Sequence, residues 1–234
     1  MKPRVRFSWV KDGSYAEIWD YQTVLHSALI QRKRSTEDKS PPIHHLLFSE
    51  HKPVFTLGRS GKETHLLTDK SELLSQEIEF FKINRGGDIT YHGPGQITGY
   101  LIFDLDYFFH DVHKFVYNIE ESVIATLRHF GIEGFRIPKY TGVWVNSSKE
   151  NGKLLKICAI GIHISRWVTL HGFAFNISTD LNKYNQIIPC GISESGLGVT
   201  SIEQETGQKV TLDEVGKILL DNLSIIFQFE ILYE

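Results

Sequence analysis

RGGDITYHGPGQITGY, Arg85 to Tyr100, is the stretch on which the reading of this chain turns. Five glycines and a proline are interleaved there with an arginine, a histidine and two tyrosines, between apolar, strand-like runs. Glycine admits φ > 0 and close approach of a ligand, and proline fixes φ. Gly86, Gly87, Gly93 and Gly95 around Pro94 therefore predict a shaped backbone surface. The plain alternative is a β-hairpin with Gly-Gly and Pro-Gly turns. A turn has no need of Arg85, Tyr91, His92 and Gln96 among its glycines, whereas a pocket needs a few placed polar groups on a close-fitting wall.

Toward the amino terminus, the run Ile78 to Ile83 reads as the strand that delivers this segment, preceded by a weakly amphipathic helix near Ser71 to Gln76. Short strands are expected at His45 to Ser49 and Pro53 to Leu57, and Val5, Phe7 and Trp9 alternate as a half-buried strand does. Between them, Ile18, Val24, Leu25, Ala28 and Leu29 share one face of a helix from Tyr15 to about Gln31, which runs out into the charged loop RKRSTEDKSPP. Toward the carboxyl terminus, Tyr100 to Leu105 reads as a buried strand. Asp111 then caps a helix whose stripe is Val112, Phe115, Val116, Ile119, Val123, Leu127 and Phe130. Gly142 to Val145 and Leu154 to Ile164 form a hairpin about SSKENGK, Thr169 to Ile177 is a further strand, and Leu212 to Phe227 is a last helix capped by Thr211. Strands interspersed with helices at the start, middle and end predict an α/β (α+β) fold, a mixed sheet with helices packed outside, built as one domain over residues 1–234.

Composition narrows the function. With 25 basic and 28 acidic residues the chain has no electrostatic case for nucleic acid. Two cysteines, Cys158 and Cys190, supply no disulfide framework and no metal-ligand spacing, which suits a reducing compartment. The amino terminus lacks the apolar core of a signal peptide, and a cytosolic protein is expected.

Nucleophile candidates reduce to the two thiols. Cys190 lies between Pro189 and Gly191 in a polar loop, where a sulfur is accessible and the following N–H groups can face an oxyanion. Cys158 sits in the apolar run LLKICAIGIHI, the usual setting of a core thiol. Lys156 interrupts the same run. A lysine there either reaches a sheet edge and snorkels to water or is desolvated, and desolvation lowers its pKa from about 10.4 toward neutrality. In a regular strand residues 156 and 158 share a face, so Cys158 stays a rival at this point. His92 and His171 each precede a glycine at the end of a strand-like run, and in a Cys–His hydrolase either serves as the base.

Four segments in order, RGGDITYHGPGQ, KICAIGIHI, HGFAFNIS and IIPCGI, closely resemble the lipoyl(octanoyl) transferases, octanoyl-[acyl-carrier-protein]:protein N-octanoyltransferases. The resemblance covers about Pro53 to Gly191. It implies a mixed, curved sheet similar to that of lipoate and biotin protein ligases, with an acyl pocket between the glycine-rich segment and the strands. It implies that Cys190 takes an octanoyl group from the phosphopantetheine thioester of acyl carrier protein and passes it to a lysine of a lipoyl domain, with Lys156 lowering the thiol's pKa. The acceptors implied are the lipoyl domains of 2-oxoacid dehydrogenases and the glycine cleavage H protein. It implies substrate-binding roles for Arg85, Gly86, Gly87, Asp88, Ile89, Thr90, Tyr91 and His92. A second binding segment is Ala159, Ile160 and Gly161, and a third is Gly172, Phe173 and Ala174. No cofactor, metal, nucleic acid or membrane enters, a monomer suffices, and Cys158 loses its candidacy. The charged loop near Arg34 and the SSKENGK extension are longer than such proteins require, a departure that bears on partner docking. The alternatives are an ATP-dependent lipoate or biotin protein ligase of the same fold, and an acyl-carrier binding module without catalysis.

Overall fold

The computed structural model describes residues 2–11, 13–35, 40–147, 149–150, 152–189 and 197–233. Two sheets carry the molecule. The larger is built from β1 (Arg4–Val10), β2 (Ile43–Ser49), β6 (Gln96–Ile102), β7 (Gly134–Ile137), β8 (Tyr140–Ser147), β9 (Lys153–Ser165), β10 (Val168–Asn176), β11 (Leu197–Val199) and β12 (Glu230–Tyr233). Its order is β12-β1-β2-β6-β10-β9-β8-β7, with β11 against β9. It is mixed: β1 runs parallel to β12 and to β2, and β11 parallel to β9, while the other pairs are antiparallel. The smaller sheet has the order β4-β3-β5, from β3 (Val54–Leu57), β4 (Glu79–Lys82) and β5 (Ile89–His92).

The glycine-rich stretch is where the chain changes sheets. Its ITYH is β5, paired with β3, and its QITGY opens β6, paired with β2 and β10. The two strands do not pair with each other, so the hairpin reading fails, and HGPGQ is the corner between sheets. The backbone carbonyl of Gly95 accepts from the N–H groups of Ile177 and Ser178 and from the Thr179 hydroxyl, which pins that corner to the end of β10.

Helices α3 (Val112–Arg128) and α5 (Leu212–Phe227) cover one face of the large sheet. Most of the stripe predicted for α3 is buried: Phe115, Ile119, Val123 and Leu127 pack against Leu219, Leu223 and Phe227 of α5 and against Ile97, Leu101, Phe173 and Phe175 of the sheet, while Val112 is exposed. Truncating one of these phenylalanines to alanine removes about 3–5 kcal/mol of stability. Asp111 and Thr211 cap the two helices as expected, each accepting a bond from the N–H three residues on.

On the opposite face lies α1 (Tyr15–Arg34). Ser14 and Glu17 form a capping box at its start, and Arg32, Lys33 and Arg34 favour its carboxyl end, which carries it beyond the expected Gln31. The buried face of α1 is Ile18, Gln22, His26 and Leu29, while Val24 is exposed. Two polar residues in the stripe had disguised its phase. Two short helices, α2 (Lys70–Ser75) and α4 (Ile202–Thr206), complete the set among the described residues. None of these helices is long and apolar enough to cross a membrane.

Candidate active site

Alternation along three neighbouring strands builds the site. In β6, Ile97 and Leu101 point into the main core while Thr98 and Tyr100 point the other way; in β10, Phe175 is core while Gly172 and Ala174 oppose it. Cross-strand partners share a face, and the ladder pairs Ala159 with Ala174 and Gly161 with Gly172. These residues, with Ile160 and Phe173, form one wall of a narrow cavity. The other wall is Arg85, Gly87, Asp88, Thr90 and His92, with Tyr15 and His171 at its margins.

The glycines of the two walls set their spacing. The N–H of Gly86 donates to the carbonyl of Ile162, 2.8 Å. A side chain on Gly161 would meet the Gly86 carbonyl oxygen at 2.6 Å and Arg85 Cδ at 3.1 Å. Gly87 has φ +83°, the left-handed region that side chains disfavour. Arg85 is thereby laid against the sheet and held by Thr56: Nη2 donates to the Thr56 carbonyl at 2.6 Å, and Nε and Nη2 donate to its hydroxyl at 3.3 and 3.1 Å.

That hydroxyl sits 3.2 Å from Nε2 of His92, whose Nδ1 lies 2.9 Å from Oε1 of Gln96. Because the amide oxygen accepts, Nδ1 carries the proton and Nε2 accepts from Thr56. Gln96 continues the chain to the Tyr91 carbonyl, Asn176 and Tyr184, and Asn176 to the Thr200 carbonyl. Burial, with His51 and Arg85 nearby, holds the His92 imidazole well below its ordinary pKa, so it is neutral at pH 7. Burial first and Arg85 second hold His171 down at about 3, and its Nε2 faces Asn84 Oδ1 at 2.7 Å. The two histidines offered as bases are thus neutral rings, each hydrogen-bonded within the protein.

Lys156 is an interior group. Strands flank it on both sides, Trp144 of β8 and Val199 of β11, and the residue is 6% exposed with its ammonium 4.8 Å from the centroid of the Trp144 ring. The snorkelling edge lysine is therefore excluded. A β-bulge decides its direction: Val143 pairs with Cys158 but Trp144 with Lys156, so Ile157 is an extra residue. Cys158 consequently faces the core with Val143 and Phe175, and Lys156 faces the opposite side, that of Ala159 and Gly161. The same-face reading of residues 156 and 158 is corrected by this one inserted residue. Burial pushes the Cys158 thiol far above the ordinary thiol range, leaving it inert.

Of the residues singled out in the sequence, Arg85, Gly87, Asp88, Thr90, His92, Ala159, Ile160, Gly161, Gly172, Phe173 and Ala174 line the cavity. Gly86 lies behind the wall, on a neighbouring groove, and Ile89 and Tyr91 pack into the core beneath β5. Lys156 is on the cavity's side of β9 but not among its lining residues. Cys190 and Gly191 lie outside the described residues, as do residues 36–39 of the charged loop and 148 and 151 of the SSKENGK extension. Tyr15, Thr98 and Tyr100 were missed. Thr98 and Tyr100 follow Gln96 at alternate positions of a strand and were legible as one face; Tyr15 arrives from the first turn of α1 and had no local signal.

Comparison with known proteins agrees with this architecture. Residues 14–224 match the family model of the lipoyl protein ligase A/B catalytic domain. The octanoyltransferase of Cytophaga hutchinsonii is 47% identical over 222 residues, covering 93% of this chain and 90% of that protein. That of Christiangramia forsetii is 46% identical over 234 residues, covering 98% and 97%. Among solved structures, a putative lipoate protein ligase from T. acidophilum with bound lipoic acid matches with a TM-score of 0.70 at 16% identity, over 100% of this chain and 89% of that one. Lipoate-protein ligase A bound with ATP matches with a TM-score of 0.71, again at 16% identity and over 100% and 89%. At such identities the likeness is one of fold.

Proposed function

The chain belongs to the lipoyl protein ligase A/B catalytic-domain family and is an enzyme of octanoyl transfer in lipoylation, and from this premise we propose a two-step mechanism through an acyl-enzyme. The Cys190 thiolate attacks the octanoyl thioester of acyl carrier protein and expels the phosphopantetheine thiolate, which takes up a proton. The acceptor lysine of a lipoyl domain then attacks the enzyme thioester, forming the amide and returning Cys190 as a thiol. The first step exchanges one thioester for another and the second runs downhill from thioester to amide, so no nucleotide drives it. Splitting the transfer lets two protein partners use one site in turn.

The observation that carries this reading is the cavity whose walls are the three predicted binding segments, with the buried ammonium of Lys156 on the same side of β9. The small side chains of Ala159 and Ala174 leave room along this wall for an alkyl chain, each buried methylene contributing about 0.8 kcal/mol. Arg85, Asp88 and Thr90 supply the polar margin. Lys156 stabilises the thiolate of Cys190 and exchanges protons with it. Acyl carrier protein is the donor; lipoyl domains of 2-oxoacid dehydrogenases and the glycine cleavage H protein are the acceptors, met in the cytoplasm by a single-domain monomer.

The test is intact-mass measurement after incubation with octanoyl-acyl carrier protein. One octanoyl mass is expected without ATP, retained in Cys158→Ser and lost in Cys190→Ser. A strict ATP requirement would return the chain to the ligase reading, and an adduct on Cys158 would overturn the assigned nucleophile.

A further inference from the structure

We infer that His65, held by Asp88, is the base that takes the proton of the incoming acceptor lysine in the second step. This rests on the acyl-enzyme reading above. His65 ends a 3-10 turn, Glu63–His65, and its Nδ1 lies 2.5 Å from Oδ2 of Asp88, a cavity-lining carboxylate whose other oxygen accepts the N–H of Ile89 at 2.7 Å. A carboxylate on Nδ1 fixes the ring's orientation, which leaves Nε2 to exchange a proton. Among the described residues Nε2 has no hydrogen-bond partner, and the His65 side chain is 20% exposed.

Two further observations point to the same place. The chain leading to Pro189 and Cys190 runs antiparallel beside this turn: Leu66 bridges Ile187, Ile188 donates to the His65 carbonyl at 2.8 Å, and Leu67 donates to the Gln186 carbonyl at 2.8 Å. The other histidines around the cavity are less available. His92 uses both ring nitrogens, while His171 and His51 are bonded through Nε2 to Asn84 and Tyr100 and have their Nδ1 atoms buried away from solvent.

An acceptor lysine arrives as an ammonium, because its pKa is about 10.4. In the inferred step His65 Nε2 removes one proton, the free amine attacks the thioester carbonyl carbon, and the C–S bond breaks. The second proton passes from the new nitrogen to the Cys190 sulfur, and the imidazolium releases its proton to water. Among the described residues, the charged groups about His65 include Asp88, bonded to it, Lys62 at the start of its turn, and Glu63, which is ion-paired with Lys82 of β4; the adjoining Ile187 and Ile188 carry no charge.

The experiment separates the two steps. Wild type, His65→Gln, His65→Ala and Asp88→Asn are loaded with octanoyl from acyl carrier protein, freed of donor, and mixed with a lipoyl domain in single-turnover mass measurements from pH 6 to 10. Loading is expected to be near normal in the two His65 variants, which also reports folding. Transfer in His65→Gln should be about 10²-fold slower at pH 7, the usual scale for losing a general base, with the gap closing as the lysine deprotonates unaided. Imidazole should restore part of the transfer in His65→Ala. Transfer within twofold of wild type, or equal slowing at every pH without rescue by imidazole, overturns the inference. If the glutamine variant does not fold, imidazole rescue of His65→Ala carries the same test. Absence of a wild-type acyl-enzyme refutes the two-step mechanism instead.

Discussion

Lys156 and Trp144 are cross-strand partners, and the lysine's ammonium lies 4.8 Å from the centroid of the indole ring. An aromatic face offers a buried cation partial compensation for lost water, worth about 2 kcal/mol when desolvated.

Lys156→Met preserves the packing and removes the charge. Iodoacetamide labelling of Cys190, measured against pH in a Cys158→Ser background, should shift to higher pH, and acyl transfer should fall by about 10²-fold. Lys156→Arg should not restore the rate, because guanidinium does not release its proton at these pH values. An unshifted labelling curve removes Lys156 from the mechanism.

Cys158 should resist alkylation in the native protein between pH 7 and 9 and label only in urea, since burial raises its pKa and no solvent reaches it. Peptide mapping after labelling distinguishes the two thiols. Modification of native Cys158 at the rate of Cys190 contradicts the bulged register.

Gly161→Val places atoms where Gly86 and Arg85 approach the sheet. Overpacking of this kind costs about 1–3 kcal/mol, visible in a urea titration, while octanoyl loading should fall much further because the cavity wall is displaced. Loss of stability with loading unchanged assigns the contact to folding alone.

Thr56→Val leaves the Arg85 bond to the Thr56 carbonyl but removes the hydroxyl between Arg85 and His92. An unmade buried hydrogen bond costs about 1–3 kcal/mol, so the urea midpoint should fall accordingly. A midpoint equal to wild type removes the hydroxyl relay from the account of the site.

Stability should fall in mild acid. Burial holds His44 and His171 down at about 3 and His51 at about 4, so the unfolded chain takes up their protons first. Their contribution is complete above the unfolded pKa of about 6.5 and is lost below it at about 1.4 kcal/mol per pH unit for each ring. Urea titrations at pH 7.5, 6 and 5 should show this decline, shallower in His51→Gln. Equal midpoints at all three values contradict the burial of these rings as neutral species.

Much of this protein was legible in the sequence because local chemistry decided it. Most of the stripe of α3 and the caps Asp111 and Thr211 rest on period and capping residues, and tertiary packing left them unchanged. The glycine-rich stretch announced a shaped wall because only glycines let backbone approach backbone as Gly86 and Gly161 do. Its partition between two sheets was not legible, since Ile89 to His92 and Gln96 to Tyr100 both read as strands and only their partners, β3 for one and β2 with β10 for the other, separate them. Tertiary structure alone turned Lys156 and Cys158 to opposite faces. A two-residue repeat predicts a shared face, and the extra Ile157 arises from the register with β8, a property of two strands together that neither sequence states by itself.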